Sequence, residues 1–470
     1  MREPVLTRLF EAAMRRLGSV VGRDDHEPLS AWREQPVTYV SVPPSQAQRS
    51  TLPRFQRTAG DLPNPGYGGR SAALRARLLN AYTPARPVVD RRMFAGRTKI
   101  LQSLIHAIEE ERLHLVLYGE RGVGKTSLLQ QISQAAKDAR YLVTYIDCGQ
   151  RTEFDETFRA VAAGIPLMYH SAYGPTSVES ERGDTLADLL GPEPMTVAAA
   201  LEALSHIEGA RVLLILDDFD HIGSEEFRHE IAELLKRLSD RAVYVQALIA
   251  GVPAELAALV GQVPSLHRNV VAMRIPRMMD DEIRDIIGKA ETVSGVHFDD
   301  EALDAIIAAC AGSPYLAKLL GYRAALAAVD HDRETIEAED VGASIQDAID
   351  DLSKTVSRHG QLRIEELTRR GQLPALAALA RASQATGGWY TMEEVSTALR
   401  SDPLPPRNTA AVIKELVEHD ILLEIEGEGH EHAFRFVGPT LPDYISLLVA
   451  RSRWFGAKPD PATAALENRV

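Results

Sequence analysis

Between residues 88 and 342, short aliphatic and β-branched runs alternate with stretches of helical period, the pattern of a parallel sheet with covering helices. Strands are expected at Leu113–Leu117, Tyr141–Asp147, Val212–Leu216, Val243–Ala250 and Val271–Ile275. Each is nearly continuously apolar, as strands buried on both faces must be. Residues 169–194, YHSAYGPTSVESERGDTLADLLGPEP, interrupt this order and read as a surface insertion. Before residue 88 the periodicity is lost. A short amphipathic helix, Pro4–Leu17, precedes Pro-, Gly-, Ser- and Arg-rich sequence that reads as a largely extended or disordered arm. Beyond about residue 350 the pattern is mainly helical. Helices are expected at Leu373–Arg381, Met392–Leu399 and Ala410–Glu418, the middle one opened by a Thr391-Met-Glu-Glu394 capping box. Ile421–Val437 then reads as two strands around a Gly-rich wing, which makes this section a winged helix.

Composition narrows the class. A chain of 470 residues, 45% hydrophobic and 25% charged, can bury the cores of several domains. Its net charge of −14 argues against a protein that mainly coats nucleic acid, since phosphate neutralisation needs clustered Lys and Arg. The basic part is local: residues 1–90 carry 13 Arg and no Lys against 8 acids, or +5, leaving −19 on the remainder. Cys148 and Cys310 cannot form a disulfide framework and read as buried reduced thiols, which favours the cytoplasm. Arg8, Glu11, Arg15 and Arg16 interrupt any secretion-type apolar segment at the start. The run Ala242–Leu266 contains Gln246, Pro253 and Glu255, and reads as a strand and a helix rather than a membrane span.

The chemistry concentrates after the first strand. Gly119-Glu120-Arg121-Gly122-Val123-Gly124-Lys125-Thr126 fits GxxxxGK[ST] between a strand and a helix, the context in which this loop binds phosphates. Glycines let backbone amides turn around a β-phosphate, with the helix N-terminus adding partial positive charge. Lys125 would reach the β- and γ-oxygens, and Thr126 would offer its hydroxyl to Mg²⁺. Ser127 completes the expected binding set for ATP or ADP. A second metal partner is expected at the end of the strand in RVLLILDDFDHI: Asp217 for the metal and Asp218 for the attacking water. Asp220 reads as a helix or turn cap.

These motifs, with FAGR at Phe94–Arg97 and AGSPYLAKLLG at Ala311–Gly321, resemble the AAA+ and STAND branch of P-loop ATPases, including origin-recognition-type initiators. The resemblance covers about residues 88–350. It implies an α/β nucleotide-binding domain with a parallel sheet, a small helical lid and often a following winged helix. It also implies that 88–97 lines an adenine pocket closed by Arg97, and that Gly312-Ser313-Pro314 brings a lid helix to the phosphates. Two features depart from the family pattern. The strand ending QALIAGVP lacks a polar sensor, so hydrolysis should be slow, and the trans-acting arginine is open between Arg268 and Arg277.

The expected organisation is an arm (1–87), a P-loop domain (88–275), a lid (276–350), a connecting helical segment (351–372), a winged helix (373–450) and a tail (451–470). In the third winged-helix helix, Arg407, Asn408 and Lys414 are offset by Glu415, Glu418 and Asp420, which favours packing or protein contact over base reading. His430 and His432, beside Glu428 and Glu431, read as a solvated loop rather than a metal site. The favoured function is a slow, Mg²⁺-dependent ATPase acting as a nucleotide-operated conformational or assembly switch, with a protein partner or self-association. The alternatives are a DNA-acting ATPase of initiator or transposition-helper type, and a non-hydrolysing ATP-stabilised scaffold.

Overall fold

The computed structural model describes residues 69–83, 86–171, 183–251, 269–400, 409–426 and 432–456. The expected helix Pro4–Leu17, Arg268, Arg407, Asn408, Glu428, His430, Glu431 and most of the tail lie outside them.

Five parallel strands form the central sheet: β1 (His114–Tyr118), β2 (Leu142–Asp147), β3 (Val212–Asp217), β4 (Val245–Gly251) and β5 (Val270–Arg274), in the order β2-β3-β4-β1-β5. Each falls within two residues of its expected limits at either end. Leu115, Leu117, Leu213 and Ile215 enter the core on one face, while Val116, Leu214 and Leu216 enter the core on the other. This two-sided burial is why β1, β3 and β4 read as continuous apolar runs, whereas the edge strands β2 and β5 are only partly buried. The sheet register pairs Asp147 with Asp217, and Tyr118 with both Gly251 and Arg274, so the carboxyl ends of the strands share one edge.

In chain order the main helices are α1 (Gly69–Tyr82), α2 (Thr98–Glu109), α3 (Lys125–Asp138), α4 (Phe154–Ala163), α5 (Val197–Ser205) and α6 (Glu225–Asp240). After β5 come α7 (Asp280–Ser294), α8 (Asp300–Cys310), α9 (Pro314–Asp330), α10 (Ala338–Ser353), α11 (Arg358–Arg369) and α12 (Leu373–Thr386). The chain continues through α13 (Met392–Arg400), α14 (Thr409–Glu418) and α15 (Leu441–Phe455). A three-stranded sheet of β8 (Tyr390–Thr391), β10 (His432–Phe436) and β9 (Leu422–Glu426) accompanies the last helices, and a two-stranded sheet joins β6 (His297–Phe298) to β7 (Thr335–Ile336).

Two expectations change. Within the supposed arm, α1 buries Leu74, Leu78, Ala81 and Tyr82 in the helical core, a face hidden from a periodicity reading by the surrounding Arg and Gly. Part of the supposed surface insertion is packed as well: the Leu186 amide donates to Ile165 O at 2.8 Å and its side chain is buried. Past residue 372 the second and third expected helices agree within one residue, while the first continues beyond Arg381 to Thr386; the Thr391 amide donates to Glu394 Oε2 at 2.6 Å as its capping pattern requires. One continuous apolar core runs from Leu74 through α7–α10 to Tyr444 and Ala450.

Candidate functional site

The loop after β1 holds two left-handed glycines, Gly122 (φ 78°) and Gly124 (φ 98°), the second capping α3. A side chain is strained at such angles, so the sequence puts glycine there and leaves the amides free to point inward. The first turn of α9 closes over this loop. A Cβ at Gly122 would stand 3.2 Å from Tyr315 Cβ, and one at Gly124 would stand 3.7 Å from Pro314 Cγ. Gly312 makes that approach attainable: its φ is 76°, and a Cβ would meet Met278 O at 2.5 Å.

The loop, the start of α3, the segment before α2 and the face of α9 enclose a cavity of about 290 Å³. Arg121, Gly122, Val123, Gly124, Lys125, Thr126 and Ser127 line it, as do Arg97 and Pro314. Among the described residues, Asp218 is the only acid lining it, against five cations including Arg86, Arg121 and Lys318. This balance, beside a helix N-terminus, suits an anion.

Lys125 is buried, and its ammonium donates to Gly119 O at 2.9 Å and Glu120 O at 3.0 Å. Burial lowers its pKa, while Asp220, Asp218 and Asp217 oppose that shift. Asp217 is held from two sides: Tyr145 Oη donates to Oδ2 at 2.6 Å and the Asp218 amide to Oδ1 at 2.9 Å. Asp218 sits in the left-handed region (φ 52°), and burial, reinforced by Asp217, raises its carboxyl above the usual range. Asp220 lies against the end of β4, its Oδ1 3.0 Å from where a Gly251 Cβ would be. A carboxylate read as a cap therefore occupies the neighbourhood in which the strand lacks a polar residue. Among the described residues, no group of three or more His, Cys, Asp or Glu is arranged to hold a metal ion. Mg²⁺ requires no such cluster, since it takes most of its ligands from phosphate oxygens and water.

Arg97, which also lines the cavity, is buried in a left-handed conformation (φ 59°). Its guanidinium reaches Val123 O at 3.4 Å and its amide donates to Glu282 Oε1 at 2.7 Å. Burial lowers its pKa, against Glu282. Residues 88 and 89 are stapled to α3: the Val88 amide donates to Ser127 Oγ at 3.0 Å, and Gln131 Nε2 donates to Val88 O at 2.9 Å and Val89 O at 3.0 Å. Gln131, Glu282 and Tyr145 are positioning residues the sequence reading missed. No local motif marks them, because their partners lie 42 or more residues away.

Glu120 turns its carboxylate out of the cavity and meets Arg277 at 2.7 Å, while Arg277 reaches Asp443 Oδ1 at 2.6 Å and Ala311 O at 3.1 Å. Burial works against the Arg277 guanidinium, but Asp443 and Glu120 outweigh it and hold its pKa above the usual range. Arg277, the rival trans-acting arginine, is thus committed within its own chain. Cys148 is inert, its thiol pushed up to about 12 by burial and then by Asp217.

A glycine loop opening a helix, at the carboxyl edge of a parallel sheet and facing a strand-end carboxylate, defines a P-loop nucleotide-binding protein. The chain belongs to the family of novel STAND NTPase 1, whose model matches residues 79–434. No curated protein is significantly similar to it in sequence. Among solved structures it is similar to Cdc6p from Pyrobaculum aerophilum (17% identity, TM-score 0.41, covering 80% of this chain and 98% of that one). It is also similar to a Walker-type ATPase of Pyrococcus abyssi (14% identity, TM-score 0.45, 77% and 98%). A third likeness is to the Aeropyrum pernix ORC1 protein in complex with DNA (17% identity, TM-score 0.40, 83% and 98%). No helix among the described residues is long and apolar enough to cross a membrane.

Proposed function

We propose that this protein is a nucleotide-operated switch that binds ATP with Mg²⁺, hydrolyses it slowly and transmits the difference between ATP and ADP to its C-terminal helices. The observation that carries this reading is the Glu120–Arg277–Asp443 network. It links the phosphate loop, the start of the lid and the first turn of α15 through one guanidinium. A shift of the loop on nucleotide exchange moves Glu120 and changes the charge balance around Arg277. A switch needs such a differential contact between its states.

In this reading Lys125 leaves its carbonyl partners for the β- and γ-phosphates. Thr126 and Asp217 would hold Mg²⁺, which would supply charge neutralisation on the phosphates. Asp218, with its raised pKa, orients the attacking water. Residues 88–97 and Arg97 form the base end, and Pro314 seats the lid on the loop. Residues 276–350 act as the lid, and 373–450, with α12–α14 and their three-stranded sheet, as a winged helix. Its third helix favours protein contact over DNA: Arg363 and Arg370 pair with Glu415, and Lys414 with Glu418.

Hydrogen–deuterium exchange of the full chain with ADP and with a non-hydrolysable ATP analogue tests the switch. Amides in the first turn of α15 and around residues 382–387 should exchange differently in the two nucleotides, and Arg277→Gln should abolish that difference. Identical exchange in the wild type with both nucleotides bound refutes it. Light scattering on the same samples separates self-assembly from a switch read by another protein.

A further inference from the structure

α9 carries a cation on the cavity that the sequence reading did not single out. Lys318 follows Pro314 by four residues, so the two share a face of the helix, and both line the cavity. Pro314 lies over Gly124, which places Lys318 one turn, about 5.4 Å, farther along the helix from the loop. The other buried lining cations have company. Arg97 has Glu282 beside it, and Lys125 has two carbonyls and three aspartates. Arg86 and Arg121 are exposed to water. Lys318 is half-buried and has no hydrogen bond or ion pair among the described residues. Burial alone lowers its pKa, to about 8, and no neighbouring carboxylate opposes this. An ammonium taken out of water without a counter-ion is unfavourable unless something anionic arrives to meet it.

The cavity reads from the loop outward. The amides of 122–125 and Lys125 take the outer phosphates, and the segment stapled to Ser127 and Gln131 takes the base. Lys318 lines this same cavity, one turn along α9 from the proline that lies over Gly124. We infer that Lys318 is a nucleotide-contacting residue that binds the phosphoryl group nearest the ribose, so that it retains ADP and ATP equally and rejects nucleosides. It rests on the reading of this cavity as a nucleotide site. Because that phosphoryl is common to substrate and product, the contact is uniform binding: it sets affinity and occupancy, not the rate of the chemical step.

The test is displacement of a fluorescent ADP analogue by ATP, ADP, AMP and adenosine from wild type, Lys318→Met, Lys318→Arg and Lys125→Met. Lys318→Met should weaken ATP, ADP and AMP by the same factor, about tenfold or more, while leaving adenosine unchanged. Lys318→Arg should recover most of the loss. Lys318→Gln repeats the comparison should the Met variant not fold. An unchanged ratio of AMP to adenosine affinity in Lys318→Met overturns the inference, as does a loss confined to ATP. If wild type binds no nucleotide at all, the nucleotide reading fails and takes this one with it. If wild type binds and Lys125→Met does not, while Lys318→Met behaves as wild type, only the Lys318 assignment falls.

Discussion

The sheet domain and the helical body behind it are stabilised in different ways. The sheet carries separate apolar cores on its two faces, and its functional groups stand on loops at one edge. The helices from α7 to α15, joined by α1, share a single core rich in alanine and leucine, so the helices after β5 cohere as one body. Between the two regions the named contacts are largely polar. They include Arg97 with Glu282, Lys289 with Phe94 O, Arg274 with Ala385 O, and Arg277 with Glu120. Rigid interiors joined by a polar boundary make the boundary the place where motion costs least. Ligand energy can act there without unpacking either core.

The largest expected effect tests whether the sheet edge is the ligand-binding half. Lys125→Met should weaken ATP and ADP by about a hundredfold or more, since it removes a charge-assisted contact from a desolvated site. The thermal shift given by either nucleotide to wild type should disappear. A wild-type shift in the variant would mean that the loop is not where nucleotide binds. Next comes the interior of the helical body. Leu320 on α9 is fully buried, so Leu320→Ala should cost about 3 kcal/mol in denaturant unfolding, whether or not nucleotide is present. A loss below about 1 kcal/mol would mean that the core around α9 is looser than its packing indicates.

The same contrast explains what the sequence disclosed. The strands, the glycine loop and the Asp217-Asp218 step were legible because each is a local pattern with its own physical reason. What the sequence hid was pairwise and remote. Glu282 is one acid among many on α7 until the fold sets it against the Arg97 amide, and Arg277 looked available for a partner until Asp443 and Glu120 enclosed it. α1 escaped notice because its buried face is only four residues wide and sits in Arg-rich sequence. Lys318 was in plain view, a lone lysine in PYLAKLL, but only the cavity gives it a role.

Acid should strain the sheet domain first. His114 at the start of β1 is buried, accepting at Nδ1 from the Ala247 amide at 3.0 Å while Nε2 meets Leu235 O at 3.1 Å. Burial lowers its pKa to about 4, against the Leu235 carbonyl, compared with about 6.5 when unfolded. Between those values the unfolded chain binds a proton that the folded chain refuses. This contribution is therefore whole above about pH 6.5 and is lost as pH falls toward 4. At pH 5 the loss is about 2 kcal/mol, an order-of-magnitude figure. His114→Gln should unfold with a shallower pH dependence over this window than wild type. Parallel curves would remove His114 as the cause.

The smallest effect on stability should fall at the boundary. The side chains of Arg277 and Asp443 keep only 14% and 20% of their exposure, so the cost of taking both charges out of water offsets much of their attraction and the pair's net worth is modest. Asp443→Asn leaves Arg277 paired with Glu120 and keeps the side-chain volume. It should cost about 1 kcal/mol in denaturant unfolding, with little dependence on salt because the pair is shielded from solvent ions. Its larger effect should be on coupling. Without the second carboxylate the guanidinium keeps its ion pair to the phosphate loop but loses the one to α15, so the melting temperatures with ADP and with an ATP analogue should converge in this variant while both nucleotides still bind. If Asp443→Asn keeps the wild-type separation between the two nucleotides, the boundary is a passive seam, and the coupling must run through Pro314 and the packing of α9 on the loop.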